Sequence, residues 1–184
     1  MTLRTDLKVL DQQNRIIRIH GGAKSLDQVT KNDDFLKQRY IRNTEEKKII
    51  AQKALDLVKP GHTIFIDSGS TTTMLSHILK DQPNTFVTSG LTCAIEMAKL
   101  KSAKVSLTGG NLNNRSLSVN GFEGLRLIER VNFDEAFIGV TNFSYKTGFT
   151  CESESDAELK KAAIQKANKV IILMDSSKYE RKGT

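Results

Sequence analysis

The chain has 184 residues, 38% of them hydrophobic, and 28 lysines and arginines against 21 aspartates and glutamates give it a formal net charge of +7. This composition predicts one main domain with a packed core and a small additional segment. No apolar run approaches the ~20 residues that span a bilayer, and no signal-peptide h-region is present, so we expect a cytoplasmic protein without a membrane partner. The positive charge favours a polyanionic partner but does not separate DNA, RNA and phosphorylated ligands.

Cysteine and histidine are scattered along the chain. Cys93 and Cys151 stand far apart, and none of the three histidines falls into a cluster at metal-ligand spacing. The sequence therefore predicts reduced thiols and no metal site. It also contains neither a dinucleotide-binding glycine fingerprint nor a nucleoside-triphosphate loop, so we expect no cofactor.

The N-terminal end is basic and changes its periodicity after one helix. Residues 2–13 predict a helix with leucines on one face, residues 15–19 form a basic β-branched strand, and Gly21 and Gly22 form a turn. This order suits the end of a winged helix-turn-helix, in which a helix enters the major groove and the wing contacts phosphates. The alternative is a solvated basic helix face and a linker.

The polar residues 25–43 read as a linker with at most a short helix, and a regular pattern begins at Thr44. Helical stretches alternate with apolar runs that end in Asp, Ser, Thr or Gly; strands are expected at 63–66, 86–87, 104–107, 136–140 and 170–174. This alternation predicts an α/β domain with a mostly parallel sheet and flanking helices over residues 44–184. In such sheets ligands bind outside the carboxyl ends of the strands.

The run at residues 63–66 stops abruptly in the sequence D-S-G-S-T-T at residues 67–72. Gly69 permits close backbone approach to a ligand, and the amides that open the next helix favour an anion. Hydroxyls of Ser68, Ser70, Thr71 and Thr72 add hydrogen-bond donors, so phosphate is the expected ligand. The alternative is an ordinary helix-capping cluster.

These segments resemble the DeoR family of bacterial transcription regulators over nearly the whole chain. Residues 2–7 (T-L-R-T-D-L) look like the family's T-x-R-R-D-L recognition helix, with Thr5 in place of the second arginine, and residues 18–23 match its R-x-H-G-G-A wing. Residues 67–72, 88–90, 109–110 and 175–178 correspond to its D-x-G-[ST]-T-T, T-N-S, double-glycine and D-S-S-K motifs. Ser89 and Gly90 stand where Asn and Ser are usual, and Asp156 stands where Glu is usual.

The resemblance implies a partial winged helix-turn-helix over residues 1–24, a linker over 25–43 and a sugar-phosphate-sensing domain over 44–184, with a ribose-phosphate-isomerase-like fold. It also implies a chain truncated at both ends. The expected protein is an oligomeric regulator, with repression favoured over activation, of a sugar or polyol operon; its partners are double-stranded operator DNA and a phosphorylated sugar. The implied DNA-binding residues are Thr2, Arg4, Thr5, Lys8, Arg15, Arg18 and His20; the implied ligand-binding residues are Asp67, Ser68, Gly69, Ser70, Thr71, Thr72, Ser89, Gly109, Gly110, Asp156 and Lys178.

The alternative function is a sugar-phosphate isomerase of the same fold, with Asp67 or Asp156 as the base beside Lys178. The recognition-helix and wing signatures favour the regulator, because a metabolic isomerase has no need for them. We therefore expect no catalytic residues. Lys178 also has a plain structural alternative, a salt bridge to Asp175.

Overall fold

The computed structural model describes residues 5–7, 10, 16–19, 22–25 and 34–179. The chain divides into two compact units, residues 1–44 and 45–184. Each unit is described by itself below.

The first unit contains a β-hairpin. Strand β1 (Ile16–Ile19) pairs antiparallel with β2 (Gly22–Ser25), and Ile19 lies opposite Gly22. Residues 5–7 and 10 are helical, and α1 (Asp34–Ile41) lies within the polar segment that the sequence predicts as a linker with at most a short helix. The basic strand predicted at 15–19 is therefore present as β1, followed by a return strand that the sequence pattern did not predict.

The second unit alternates strands with helices. Helix α2 (Thr44–Leu55) leads into it. In chain order there follow β3 (Thr63–Ile66), α3 (Ser70–Ile78), β4 (Thr85–Thr88), α4 (Leu91–Met97), β5 (Lys104–Leu107), β6 (Asn111–Asn113), β7 (Ser118–Asn120), α5 (Phe122–Glu129), β8 (Phe133–Gly139), β9 (Asn142–Ser144), β10 (Gly148–Thr150), α6 (Glu154–Lys166), β11 (Ala167–Leu173) and a 3-10 turn (Ser176–Lys178). The predicted α/β class is confirmed.

Five strands form one parallel sheet in the order β11-β8-β3-β4-β5. Ile66 at the end of β3 lies opposite Thr88 of β4 and Phe137 of β8. The chain starts at the central strand β3, builds outward through β4 and β5, and then returns to β8 on the other side of β3. The boundary between β3 and β8 is thus a topological switch point. The loops that leave the carboxyl ends of these two strands diverge there and open a crevice.

Both faces of this sheet are covered. Ile64 and Ile66 point into a cluster with Leu75 and Met97 of α3 and α4, whereas Phe65 points into a second cluster with Leu159 of α6. All three β3 side chains are fully buried. This two-sided burial explains why β3 reads as an unbroken apolar run and not as an alternating pattern.

Several features of the second unit differ from the sequence prediction. Strands β8 and β11 each begin three residues earlier than expected, at Phe133 and Ala167. Asp134 and Glu135 interrupt the apolar pattern at the start of β8, so the sequence did not indicate a strand there. The strand accommodates both residues because the Asp134 carboxylate accepts from the Thr63 amide and Glu135 bonds His62. The short hairpins β6–β7 and β9–β10 were not predicted at all.

Gly110 provides a test of the packing beneath the β6–β7 hairpin. Its φ is +124°, and a Cβ would lie 2.3 Å from the Asn120 carbonyl oxygen. We expect Gly110→Ala to lower the free energy of unfolding by more than about 2 kcal/mol, because backbone strain and a clash with the main chain add. Urea unfolding monitored by circular dichroism measures the loss.

Gly61→Ala is the matched control, since Gly61 also has a positive φ of +79° but has open space around it. It should cost about 1 kcal/mol through backbone strain alone. Equal losses in the two variants would show that the close approach at Gly110 contributes nothing.

Candidate functional site

The loop after β3 begins with a buried carboxylate. Asp67 is 1% exposed, and its Oδ2 accepts from the Gly139 amide at 2.9 Å and from the Lys160 ammonium. Lys160 Nζ also donates to the Gly139 carbonyl at 3.1 Å. Because Gly139 ends β8, this ion pair lies across the crevice between β3 and β8.

Hydroxyl groups of the loop fall into two sets. Thr72 and Thr73 donate to the Gly69 carbonyl at 2.9 and 2.8 Å, which closes the first turn of α3. Ser68, Ser70 and Thr71 make no side-chain hydrogen bond within the part of the chain that the structure describes. Ser70 and Thr71 are nevertheless only 6% and 4% exposed. The hydroxyls of Thr72 and Thr73 therefore hold the loop, whereas the other three remain available to a ligand.

The N-terminus of α3 is open to an anion. Gly69 occupies the capping position at φ 156° and has no side chain with which to cap the first amides. The nine-residue helix begins at Ser70 with no acidic residue in its first turn. Free amides and the positive end of the helix dipole therefore coincide with the available hydroxyls, a combination that favours phosphate.

A second buried carboxylate, Asp156, lies in the first turn of α6. Ser118 Oγ and Asn120 Nδ2 donate to its Oδ1 at 3.0 and 2.6 Å, and Ser153 Oγ donates to Oδ2 at 2.8 Å. The Ser153 side chain also accepts from the Asp156 amide and so caps the helix. Asp156 thus attaches the β6–β7 hairpin to α6, and the direct sugar contact predicted for it stays a prediction.

The turn after β4 packs tightly on the loop after β3. Ser89 is 2% exposed, and its carbonyl accepts from the Val119 amide at 2.7 Å. A Cβ on Gly90 would lie 3.0 Å from the Ser68 Cα. The β4 turn, the β6–β7 hairpin and the β3 loop therefore lie together.

The double glycine after β5 has a packing role. A Cβ on Gly109 would meet the Glu123 Cβ at 3.0 Å, and one on Gly110 would overlap the Asn120 backbone. These glycines let the chain pass close to α5 and to the end of β7. The sugar contact predicted for these two glycines is not tested by their packing and stays a prediction.

Lys178 lies in the 3-10 turn after β11 and donates to the Val140 carbonyl at 2.7 Å. Asp175 caps that turn by accepting from the Ser177 amide and hydroxyl. Because Val140 directly follows β8, Lys178 and Lys160 approach the carboxyl end of the same strand from different elements.

Cys93 lies beneath the β3 loop on α4. Its Sγ is 3.4 Å from the Thr73 hydroxyl and 3.5 Å from the Asp67 carbonyl. Burial raises the pKa of this thiol, and the neighbouring hydroxyls only partly oppose that change. The thiol is therefore held protonated, as a small apolar group that supports the loop.

The structure thus brings the predicted ligand residues of β3, β4, β5, α6 and the β11 turn to one edge of the sheet. Lys160 was missed, although it follows Asp156 by four residues and so lies on the same face of α6. A helical pattern at 154–166, had it been recognised, would have indicated this residue. Across the described residues, no group of histidine, cysteine and carboxylate side chains could hold a metal ion, and no helix could cross a membrane.

Most of the predicted DNA-binding residues lie outside the described residues. These are Thr2, Arg4, Lys8, Arg15 and His20. Thr5 is helical and exposed, and Arg18 lies on β1. Their assignment to DNA stays a prediction.

Comparison with known families assigns both parts of the chain. Residues 42–184 match the model of the DeoR C-terminal sensor domain, and residues 1–29 match the DeoR-like helix-turn-helix domain. The regulator GolR of Listeria innocua is 36% identical over 178 residues, which are 96% of this chain and 70% of GolR. The glycerol-3-phosphate regulon repressor of Escherichia coli K12 is 30% identical over 181 residues, 98% of this chain and 71% of the repressor.

Solved structures agree on the fold. Ribose 5-phosphate isomerase A of Methanocaldococcus jannaschii has a TM-score of 0.54 at 18% identity over 74% of this chain, and eIF2B delta of Chaetomium thermophilum has a TM-score of 0.55 at 18% identity over 80%. The chain spans 55% and 53% of those two structures, about half of each. At this identity the likeness is one of fold alone.

The match of both domain models, together with relatives above 30% identity along almost the whole chain, shows that this protein belongs to the DeoR family of helix-turn-helix transcriptional regulators.

Proposed function

We propose that this chain is a cytoplasmic, homo-oligomeric DNA-binding transcriptional regulator that acts as a repressor and whose second unit binds a phosphorylated sugar or polyol. The observation that carries the proposal is the loop after β3, where available hydroxyls and uncapped amides meet at the switch point of the sheet. The ligand binds the DNA-competent and DNA-incompetent arrangements unequally and so shifts their populations.

The phosphate group is assigned to residues 68–72. A free carboxylate at Asp67 would repel a phosphate, but Lys160 compensates that charge. The local field is then set by the positive end of α3 and by the donors of Ser70 and Thr71. This supports phosphate over a neutral head group at the loop.

The sugar is assigned to Asp67, Ser89, Gly109, Gly110, Asp156 and Lys178. Asp67 and Lys178 lie where the β3 and β8 loops diverge, which favours direct contact. Gly109, Gly110 and Asp156 act by shaping this edge, because they hold the β6–β7 hairpin against α5 and α6.

DNA binding is assigned to the first unit. We place a partial winged helix-turn-helix at residues 1–24, a linker at 25–43 and the sensor at 44–184. The β1–β2 hairpin supports a wing that carries Arg18, and the recognition helix would present Thr2, Arg4, Thr5 and Lys8. Arg15 and His20 flank the first strand of that wing.

The same geometry favours a sensor over an isomerase. Three side chains donate to the Asp156 carboxylate, and Asp67 is paired with Lys160. Both oxygens of Asp156 are therefore occupied and the charge of Asp67 is compensated by Lys160, whereas a general base must be able to reach and take up the proton it removes. The relatives' names as regulators support the same conclusion.

A thermal-shift screen tests the sensor. We expect at least one of ribose 5-phosphate, fructose 1-phosphate and glycerol 3-phosphate to stabilise the protein, by about 2.7 kcal/mol at a hundredfold excess over its Kd, because the ligand binds only the folded state. The matched free sugars and glycerol serve as controls. Stabilisation by the free compounds alone would overturn the phosphate assignment, and interconversion of ribose 5-phosphate seen by NMR would overturn the sensor.

The double variant Ser70→Ala/Thr71→Val tests the phosphate loop. Affinity for the stabilising sugar phosphate should fall about tenfold to a hundredfold, because two donors to a charged group are lost. The melting temperature should change little, since neither hydroxyl has a hydrogen-bond partner within the described residues. Isothermal titration calorimetry gives the affinities.

Thr85→Val is the control, because it removes a hydroxyl at the opposite end of the sheet, at the start of β4. It should leave the affinity unchanged. If the loop variant binds as tightly as the wild type, phosphate does not lie at residues 68–72.

Salt dependence tests the DNA assignment. Fluorescence anisotropy with a duplex should show affinity falling steeply between about 50 and 200 mM salt, because cationic side chains release counterions from phosphates. Arg15→Gln/Arg18→Gln should reduce the slope of log K against log salt by about 1 to 2. Lys101→Gln, an exposed residue of the sensor unit, should leave the slope unchanged. A salt-independent affinity would exclude the phosphate contacts.

A further inference from the structure

The buried ion pair between Lys160 and Asp67 lies inside the proposed ligand site and not behind it. Lys160 reaches from α6 to the ends of β3 and β8, where its ammonium bonds Asp67 and the Gly139 carbonyl. The Lys160 side chain is 13% exposed and that of Asp67 is 2% exposed. The lysine therefore keeps some access to the crevice, whereas most of the carboxylate is enclosed.

The ion pair has hydrogen-bonding capacity that the protein does not use. An ammonium has three N–H donors, and Lys160 uses two of them. The Gly139 amide and Lys160 both bond the same Asp67 oxygen, Oδ2, and Oδ1 has no partner within the described residues. One donor and one acceptor thus remain on adjacent groups.

This residue pair suits a neutral hydroxyl better than an anion. A hydroxyl both donates and accepts, so it can bond Asp67 Oδ1 and the third N–H of Lys160 together. A second phosphate oxygen would meet the negative charge of Asp67, and the pair as a whole carries no net charge. The phosphate site at residues 68–72 begins at the next residue along the chain, so one ligand can occupy both.

Net stability is a weak reason for a buried ion pair at this position. A buried ion pair contributes little net stability compared with apolar side chains of similar volume, since desolvation offsets the attraction. Here the pair lies at a ligand crevice, with hydrogen-bonding capacity unused. A ligand that uses this capacity gives the pair a role beyond holding the ends of β3 and β8.

We propose that Lys160 is a ligand-binding residue of the sensor, and that with Asp67 it forms a subsite for a hydroxyl group on the carbon chain of a phosphorylated ligand. The assignment rests on the proposed sensor function. It makes Lys160 a determinant of how strongly the protein prefers a sugar phosphate over inorganic phosphate.

Calorimetric titration of the full chain tests the subsite with four probes: ribose 5-phosphate, fructose 1-phosphate, glycerol 3-phosphate and inorganic phosphate. For Lys160→Met, affinity for the sugar phosphates that the wild type binds should fall about tenfold to a hundredfold. Affinity for inorganic phosphate should also fall in this single variant, because the uncompensated Asp67 carboxylate lies beside residues 68–72. Lys161→Met removes the adjacent exposed lysine and should change neither affinity.

Asp67→Asn/Lys160→Met covers the case in which the single variant fails to fold, because it leaves no unpaired buried charge. In this double variant affinity for the sugar phosphates should fall about tenfold to a hundredfold, whereas affinity for inorganic phosphate should stay within about threefold, because residues 68–72 are intact and no charge is left uncompensated. Equal loss of both kinds of probe in the folded double variant would identify a loop-supporting role and overturn the subsite, as would unchanged selectivity. If the wild type binds no sugar phosphate, the sensor function fails and the subsite fails with it; if the wild type binds one and the variants bind it equally well, only the subsite fails.

Discussion

Parallel pairing of β3 with both β4 and β8 is the constraint on which the site depends. The register that sets Ile66 opposite Thr88 and Phe137 ends β3 and β4 at one level, and β8 continues two residues further to Gly139, so the loops that follow these strands share one edge. Because β3 is both the first strand of the sheet and its centre, the chain leaves it in one direction and returns on the other side. The crevice that results follows from topology, and its chemistry follows from the residues placed after each strand.

Helix α6 makes this edge one connected structure. Asp156 holds the β6–β7 hairpin through Ser118 and Asn120, and Lys160, one turn later, holds the ends of β3 and β8. The hairpin in turn bonds the β4 turn through the amide of Val119. A change at Asp67 therefore has to be accommodated along α6, and a loop, a hairpin and a helix respond together because packed interiors do not deform continuously.

The sequence predicted the central strands and the β3 loop because both are local. An apolar run that stops in D-S-G-S-T-T is visible within ten residues, and so is the alternation with helices. The sequence could not show which hydroxyls of the loop bond the backbone. Those of Thr72 and Thr73 close the turn, whereas those of Ser70 and Thr71 do not, and this difference depends on backbone geometry. For Lys160, a helical pattern at 154–166 indicates its face, shared with Asp156, but its contact with Asp67, 93 positions away, is not visible in any local pattern.

Gly90 shows how a departure from the family motif acts through shape. Where the motif usually has Ser, this chain has Gly, and a Cβ there would lie 3.0 Å from the Ser68 Cα and 3.1 Å from Cys93 Sγ. The β4 turn therefore approaches the β3 loop more closely than a residue with a side chain allows, unless the loop backbone moves. Because Ser68 opens the proposed phosphate loop, the identity of residue 90 sets the position of that loop without a hydrogen bond to the ligand. A substitution that looks like the loss of a polar contact is, in this structure, a change in the width of the site.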